Sequence, residues 1–333
     1  MCEPPAVSVG GMFAAYAARF SQEHPLDGLE LGDRPEPADL PDDWTVIDVR
    51  AASLNHHDLW TLRGVGITEQ ALPMILGCDA AGVDPQGNEV VIHSVIGATG
   101  HGVGPTERRS LLTERYQGTF AQRVAVPAWN VLPKPPALSF EEAACLPTAW
   151  LTAYRMLFGQ AGVGPGDSVL VQGAGGGVAT AAIALGAAAG LRIFVTSRDE
   201  AKRKRALDLG AEGAFPSGAR LPHRMDAVLE TVGAATWSHS IKSLRPGGTV
   251  VISGATSGQA PPSAELNRIF FLELKVVGST MGSKEELASL LSFCATTGIR
   301  PLIDEALPLE RAVEGFTRLA HGDVFGKIVF TVE

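Results

Sequence analysis

The residues with the most explicit chemistry are a run of small ones. Residues 168–190 read SVLVQGAGGGVATAAIALGAAAG, where a hydrophobic run meets Gly173, Ala174, Gly175, Gly176 and Gly177, and Val178 leads an alanine-rich stretch. A chain that must turn tightly, and let a pyrophosphate approach backbone N–H groups with no Cβ in the way, needs glycine there. A helix beginning at that point adds unpaired donors and the positive end of its dipole. The spacing departs from strict G-x-G-x-x-G, since position 178 is Val178. Read as G-x-x-G-x-x-G from Gly173, it ends on Ala179, still small enough for close packing. The competing reading is a tight turn with no ligand.

The next strand, RIFVT at 192–196, runs into Ser197 and Arg198 with no acid at its end. An NAD site places Asp or Glu there for the ribose 2′-hydroxyl. Glu200 is explained by a Ser197-x-x-Glu200 capping box. Arg198 and Lys202 then face the place of a 2′-phosphate, and guanidinium suits phosphate. The sequence thus predicts NADP(H); the alternative is that residues 198–205 form a solvated basic face. Ser253, Gly254 and Ala255 follow one predicted strand, and Ser279 and Thr280 another, at the carboxyl ends where ligands bind in parallel sheets.

These groups need a parallel α/β scaffold. Strands over 168–172, 192–196, 226–230 and 249–253 alternate with helices over 178–189, 200–209 and 237–244, with a further strand within 272–277. That alternation argues for a doubly wound parallel sheet. A Ser139-x-x-Glu142 capping box starts a long helical segment reaching about Phe158. The first 130 residues read mostly β: 12–20, 44–54, 88–95 and 118–126, with a frayed tail over 1–10 and a proline-rich acidic loop over 33–43. In WTVIDVRAASL, alternation marks a half-buried strand. The last β run, KIVFTV from Lys327, returns to the first texture, so the α/β domain is inserted.

Composition narrows the classes. The 333 residues suit two domains. Apolar residues reach 45% and charged ones 19%, which argues against disorder. A net charge of −9 without a basic block disfavours nucleic acid. Residues 179–191 are too short and too rich in Ala and Gly to span a bilayer, and the N-terminus lacks a basic signal-peptide region. Cys2, Cys78, Cys145 and Cys294 form no C-x-x-C pair. The expectation is a cytoplasmic protein with no disulfide framework, acting on a small molecule.

Further motifs carry a family resemblance: AASLNHHDLWTLRG (51–64), ILGCDAAG (75–82), GTFAQRVAVPA (118–128), LPTAWLTAYRML (146–157), LETVG (229–233), LRPGGTVVISGATSG (244–258) and FGKIVF (325–330). Together with the glycine turn they resemble the medium-chain dehydrogenase/reductase superfamily, in its alcohol dehydrogenase and quinone oxidoreductase branches. The resemblance implies a mostly-β GroES-like catalytic domain over 1–137 and 299–333, and a Rossmann domain over 138–298. It also implies a cleft between them, a homodimer formed through Rossmann edge strands, and Thr152 and Lys327 among the cofactor-binding residues.

In zinc-dependent members the ligands stand where this chain has Asn55, Cys78 and Thr148. Only Cys78 suits by type, and a catalytic zinc needs three protein ligands. No metal is expected, although His56, His57, Cys78 and Asp79 leave an improvised site open. Asn55 matches a family asparagine near the nicotinamide, and His57 and Asp58 are the nearest groups able to relay a proton. Were they on a strand, His56 and His57 would point oppositely. The expected activity is zinc-free hydride transfer between NADPH and a quinone or an α,β-unsaturated or activated carbonyl. The alternatives are an alcohol/aldehyde dehydrogenase-like enzyme and a non-catalytic NADPH sensor. Loops at 60–72 and 95–117 are expected to set the substrate.

Overall fold

The computed structural model describes residues 11–97 and 109–333. The expected tail over 1–10 and residues 98–108 of the second specificity loop lie outside the described residues. The chain divides into two compact units. The first runs to Cys145 and adds Glu305–Asp323 and Ile328–Glu333; the second holds Leu146–Asp304 and Val324–Lys327.

The first unit is built on antiparallel strands. β1 (Gly11–Ala17) pairs with β2 (Leu29–Pro35) on one side and β4 (Met74–Ile75) on the other. Thus β2 occupies the start of the segment read as a loop; its proline is confined to the last position of an edge strand, where no ladder bond is lost. The larger sheet runs β10 (Val131–Pro133), β6 (Glu89–Ile92), β5 (Asp79–Val83), β3 (Trp44–Ser53), β18 (Lys327–Thr331), β17 (Ile303–Pro308). The β9 strand (Arg123–Pro127) also pairs with β3, and β7 (Val95–Gly97) pairs with β8 (Arg109–Leu111). In β3, Ile47, Val49 and Ala51 are buried while Asp48 and Arg50 are exposed, the alternation expected of a half-buried strand. Phe120 packs edge-on against Phe330 and Phe316, with centroids 5.0 and 6.0 Å away. The helices here are α1 (His56–Leu62), α2 (Phe140–Ala144) and α9 (Ala312–His321). The Ser139–Glu142 capping box is present, with Glu142 N–H on Ser139 Oγ at 3.2 Å and Ser139 N–H on Glu142 Oε2 at 2.9 Å.

In the second unit all six strands run parallel, in the order β13 (Gly213–Phe215), β12 (Arg192–Thr196), β11 (Ser168–Gln172), β14 (Met225–Glu230), β15 (Leu244–Ile252), β16 (Lys275–Gly278). Strand order reverses between β11 and β14, the switch point where ligands bind such sheets. The helices are α3 (Leu151–Tyr154), α4 (Gly177–Ala188), α5 (Glu200–Asp208), α6 (Trp237–Ser243), α7 (Leu266–Phe271) and α8 (Lys284–Thr297). The segment read as one helix to Phe158 is instead broken, because π-helical turns at Leu146–Trp150 and Arg155–Gln160 flank α3. Pro147 sits in the first of these and offers no N–H to a regular ladder.

Candidate active site

The glycine turn follows β11 at the switch point. Gly173 has φ +87°, a conformation that side chains disfavour. Gly176 is the extended N-cap of α4. The first helical bond is Thr180 N–H to Gly176 O at 3.0 Å, so the N–H groups of Gly177, Val178 and Ala179 precede the ladder. A Cβ on Gly175 would lie 2.8 Å from Lys202 Cδ, and one on Gly177 2.8 Å from Lys327 Cδ. One on Gly176 would meet nothing within 4 Å. The turn therefore has an open side at Gly176 and two lysine stems against its neighbours. Close packing of α4 on the sheet is supplied by Gly186, where a Cβ would stand 2.5 Å from Ile193 Cδ1.

Beyond β12 the expected Ser197–Glu200 capping box does not form. Asp199 is the N-cap of α5, and its Oδ1 accepts the Lys202 N–H at 3.1 Å. Ser197 Oγ accepts the Asp199 N–H instead. The basic stretch separates by role. Arg203 donates to Ser197 O at 2.7 Å, and Arg205 reaches Asp304 and stacks 4.2 Å from the Phe325 ring centre. Arg198 is exposed and bonds to no side chain among the described residues.

The other residues expected at the coenzyme follow β15 and β16 or lie on α3. Ser253 N–H bonds to Glu230 O at 3.0 Å, and Ser279 N–H to Ile252 O at 2.8 Å. A Cβ on Gly233 would meet Ala255 Cα at 2.8 Å. Gly254 lies beside Thr231, Thr280 is exposed, and Thr152 is buried on α3. The hydroxyls of Thr148 and Ser279 are buried without a hydrogen-bond partner. Beneath, Gln172 accepts from Thr196 Oγ1 at 2.5 Å and donates to Ser240 Oγ and His239 Nδ1 at 2.9 Å. Ser240 Oγ donates to the buried Glu230, which also accepts Thr236 Oγ1 and the N–H groups of Val232 and Gly233. This network ties the ends of β12, β11 and β14 together. An open cradle flanked by lysines, with two orphaned hydroxyls along the same unit, fits a dinucleotide.

In the first unit, Asn55 caps α1, so His56 and His57 are its first two residues and not strand neighbours. Asn55 Nδ2 donates to Asp79 Oδ2 at 2.7 Å and to Ser53 O at 3.2 Å. A carboxylate only accepts, which fixes the amide's orientation. Asp79 Oδ2 also accepts from Ser53 Oγ at 2.9 Å. Asp58, expected as a proton relay, is a buried cap: its Oδ2 accepts Asn55 N–H at 2.8 Å and its Oδ1 accepts Gly77 N–H at 2.9 Å. Both oxygens serve the backbone, which corrects that expectation. Gly77, at φ +94° with Phe120 and Thr119 against it, admits no side chain and sets the path into Cys78 and Asp79.

His57 turns its Nε2 to Thr113 Oγ1 at 3.0 Å. Burial pushes its pKa down to about 4, so the ring is neutral at pH 7 and a poor acid. Thr113 and Thr61, 3.2 Å apart, are the residues that sequence reasoning missed. No motif marks Thr113; only its backbone does, at φ +74°, a conformation costing a β-branched residue of order 1–3 kcal/mol. Thr61 carries a faint signal, one helical turn after His57.

Among the described residues, the donors around Cys78 do not suit zinc. Burial pushes the Cys78 thiol well up, whereas ligation needs thiolate, and its Sγ donates to Leu112 O at 3.4 Å. His57 faces Thr113, and among the described residues no three His, Cys, Asp or Glu side chains are grouped as metal ligands.

The comparisons agree with this architecture. The profile described as Alcohol dehydrogenase GroES-like domain matches residues 41–136, and that described as Zinc-binding dehydrogenase matches residues 177–296. A solved structure described as an NAD-dependent alcohol dehydrogenase is 34% identical with TM-score 0.88, covering 97% of this chain and 100% of that one. A 2-methylene-furan-3-one reductase of Solanum lycopersicum is 30% identical over 91% of this chain and 76% of its own. A quinone oxidoreductase of Mus musculus is 27% identical over 83% of this chain and 85% of its own. With a GroES-like unit and a 3-2-1-4-5-6 parallel sheet both in place, the chain belongs to the medium-chain dehydrogenase/reductase superfamily of oxidoreductases.

Proposed function

We propose that the chain is an NADP(H)-dependent oxidoreductase that transfers hydride, without catalytic zinc, between the coenzyme and a quinone or an activated alkene or carbonyl. The observation that carries the reading is the glycine turn with its open face at Gly176, two lysine stems beside it, and an end of β12, Thr196 to Arg198, that carries no acid. Asp199 is spent on capping α5, while Arg198 is exposed and without a partner among the described residues, which suits a 2′-phosphate. The backbone N–H groups of 177–179 with Lys202 and Lys327 would hold the pyrophosphate, and Ser253–Ala255, Ser279, Thr280, Thr148 and Thr152 the nicotinamide half. When bound, the reduced nicotinamide supplies the hydride.

The first unit supplies the polar groups for the acceptor. Asn55 has its short bond to Asp79 and its longer one, to Ser53 O, to exchange for an acceptor oxygen. His57 contributes a neutral ring, and Asp58 holds the N-terminus of α1 in place. The names of the tomato and mouse relatives support an electron-poor acceptor. The NAD-dependent alcohol dehydrogenase relative favours the second reading, an alcohol dehydrogenase-like activity.

Titration calorimetry with NADPH and NADH, followed by coenzyme oxidation across quinones, enones and aldehydes, tests the proposal. Tighter NADPH binding, weakened at least tenfold in Arg198→Ala, is expected; equal binding retires the coenzyme assignment. Binding without turnover of any acceptor would favour a sensor. Asn55→Ala should lower turnover with NADPH affinity unchanged.

We also propose a homodimer. The outer edge of β16 pairs with no strand among the described residues, and Leu266, Phe270, Phe271 and Val276 are exposed. An unprotected edge beside an apolar patch suits pairing with a second copy. A reducing compartment such as the cytoplasm suits Cys78, Cys145 and Cys294, all free thiols. No helix among the described residues is long and apolar enough to cross a membrane.

A further inference from the structure

Thr113 sits at the centre of a buried hydroxyl cluster that the proposed chemistry does not use. Its Oγ1 is 3.0 Å from His57 Nε2, 3.2 Å from Thr61 Oγ1 and 3.8 Å from Cys78 Sγ. Counting hydrogens constrains the cluster. Thr61 spends its hydroxyl hydrogen on His57 O at 3.2 Å, and Cys78 spends its own on Leu112 O at 3.4 Å. The 3.8 Å contact with Cys78 Sγ is the longest and weakest of the three; the other two need a hydrogen each, and a hydroxyl has one to give. Both are filled when Thr113 donates to Thr61 Oγ1 and accepts from His57 Nε2–H. The opposite polarity, Thr113 donating to His57, leaves two oxygens 3.2 Å apart with no hydrogen between them unless Thr61 abandons the His57 carbonyl.

We propose that Thr113 is a positioning residue that locks His57 as the Nε2–H tautomer, so that Nδ1 is presented as a hydrogen-bond acceptor to a hydroxyl donor. The functional half rests on the reading of His57 as an active-site residue; the tautomer itself does not. The left-handed backbone at Thr113 supports the assignment, because such strain persists only where the surroundings over-determine it. A ring fixed in this way cannot offer a proton through Nδ1 and instead selects a ligand with a hydroxyl, either an alcohol or a coenzyme ribose.

Histidine-15N-labelled protein read by long-range 1H–15N spectra at pH 7.5 tests this, with His57 assigned by the signal lost in His57→Gln. The expected wild-type result is Nε2 protonated and Nδ1 bare. Thr113→Val, which keeps the β-branch, should lose the single tautomer, and Thr113→Ser should restore it. Thr61→Val removes the acceptor, turns the Thr113 hydrogen onto His57 Nε2 and should invert the tautomer to Nδ1–H. That variant keeps the test decisive if Thr113→Val does not fold. Wild type as Nδ1–H, or an unchanged tautomer in Thr61→Val, overturns the lock. NADPH alone and a primary alcohol alone are then added separately. A shifted Nδ1 signal in either arm names the hydroxyl's source; no shift in both overturns its role as the presented acceptor. A locked tautomer in a protein without turnover would refute the proposed function and leave the lock standing.

Discussion

The low pKa of His57 makes acid stability a quantitative test. The ring titrates near 6.5 when unfolded and at about 4 when folded, because burial disfavours the cation. Between those values the unfolded chain binds the extra proton, so stability is full above pH 6.5, falls as pH drops towards 4, and then levels. At 1.36 kcal/mol per pH unit, the ceiling is about 3 kcal/mol, of which roughly 2 kcal/mol is lost between pH 7 and pH 5. The ring is half-buried, so solvent screening brings the expected loss to about 1–2 kcal/mol. Urea midpoints of wild type and His57→Gln at pH 7 and pH 5 isolate the effect, since every other titrating group is common to both. Wild type should lose about 1–2 kcal/mol more than the variant. Equal losses would show that the ring protonates freely in the folded protein, and the neutral-imidazole reading of the site would fall with it.

Other outcomes follow from single contacts. Gly176→Ala should keep the fold, at about 1 kcal/mol for a poorer N-cap, yet weaken NADPH binding severalfold in calorimetry, because its Cβ enters open space on the cradle. Asp58→Ala loses the cap and orphans the Gly77 N–H, a destabilisation of roughly 2–4 kcal/mol by denaturant unfolding. Asp58→Asn keeps one acceptor oxygen and should lose about half of that. Phe271→Glu places a charge on the exposed patch beside β16, and light scattering should report monomer where wild type is dimer.

The parallel sheet was legible because buried strands and alanine-rich helices alternate at regular intervals, and the Ser139–Glu142 box because both partners are local. The shape of 146–160 was not, since π-turns depend on packing and on Pro147 and leave no periodic trace. The His56–His57 pair reads as strand or helix equally well until Asp58 is seen to cap Asn55, and that choice is made by Gly77, nineteen residues later in space-filling contact with Phe120. The same limit applies at α5, where two candidates two positions apart compete and Asp199 reaches the Lys202 N–H that Ser197 does not. Residues of the glycine turn were readable as a motif; the lysine stems lying on Gly175 and Gly177 depend on tertiary placement. Thr113 has no signature, because hydroxyl clusters are assembled by the fold from distant segments.

The carboxylate of Glu230 gathers two backbone N–H groups and two hydroxyls, and through Ser240 and Gln172 it reaches Thr196. Three neighbouring strand tips are thereby stitched from underneath before any visitor arrives. Loading such a ledge demands little ordering of the chain, so what the coenzyme gains on docking is not consumed in shaping its own berth.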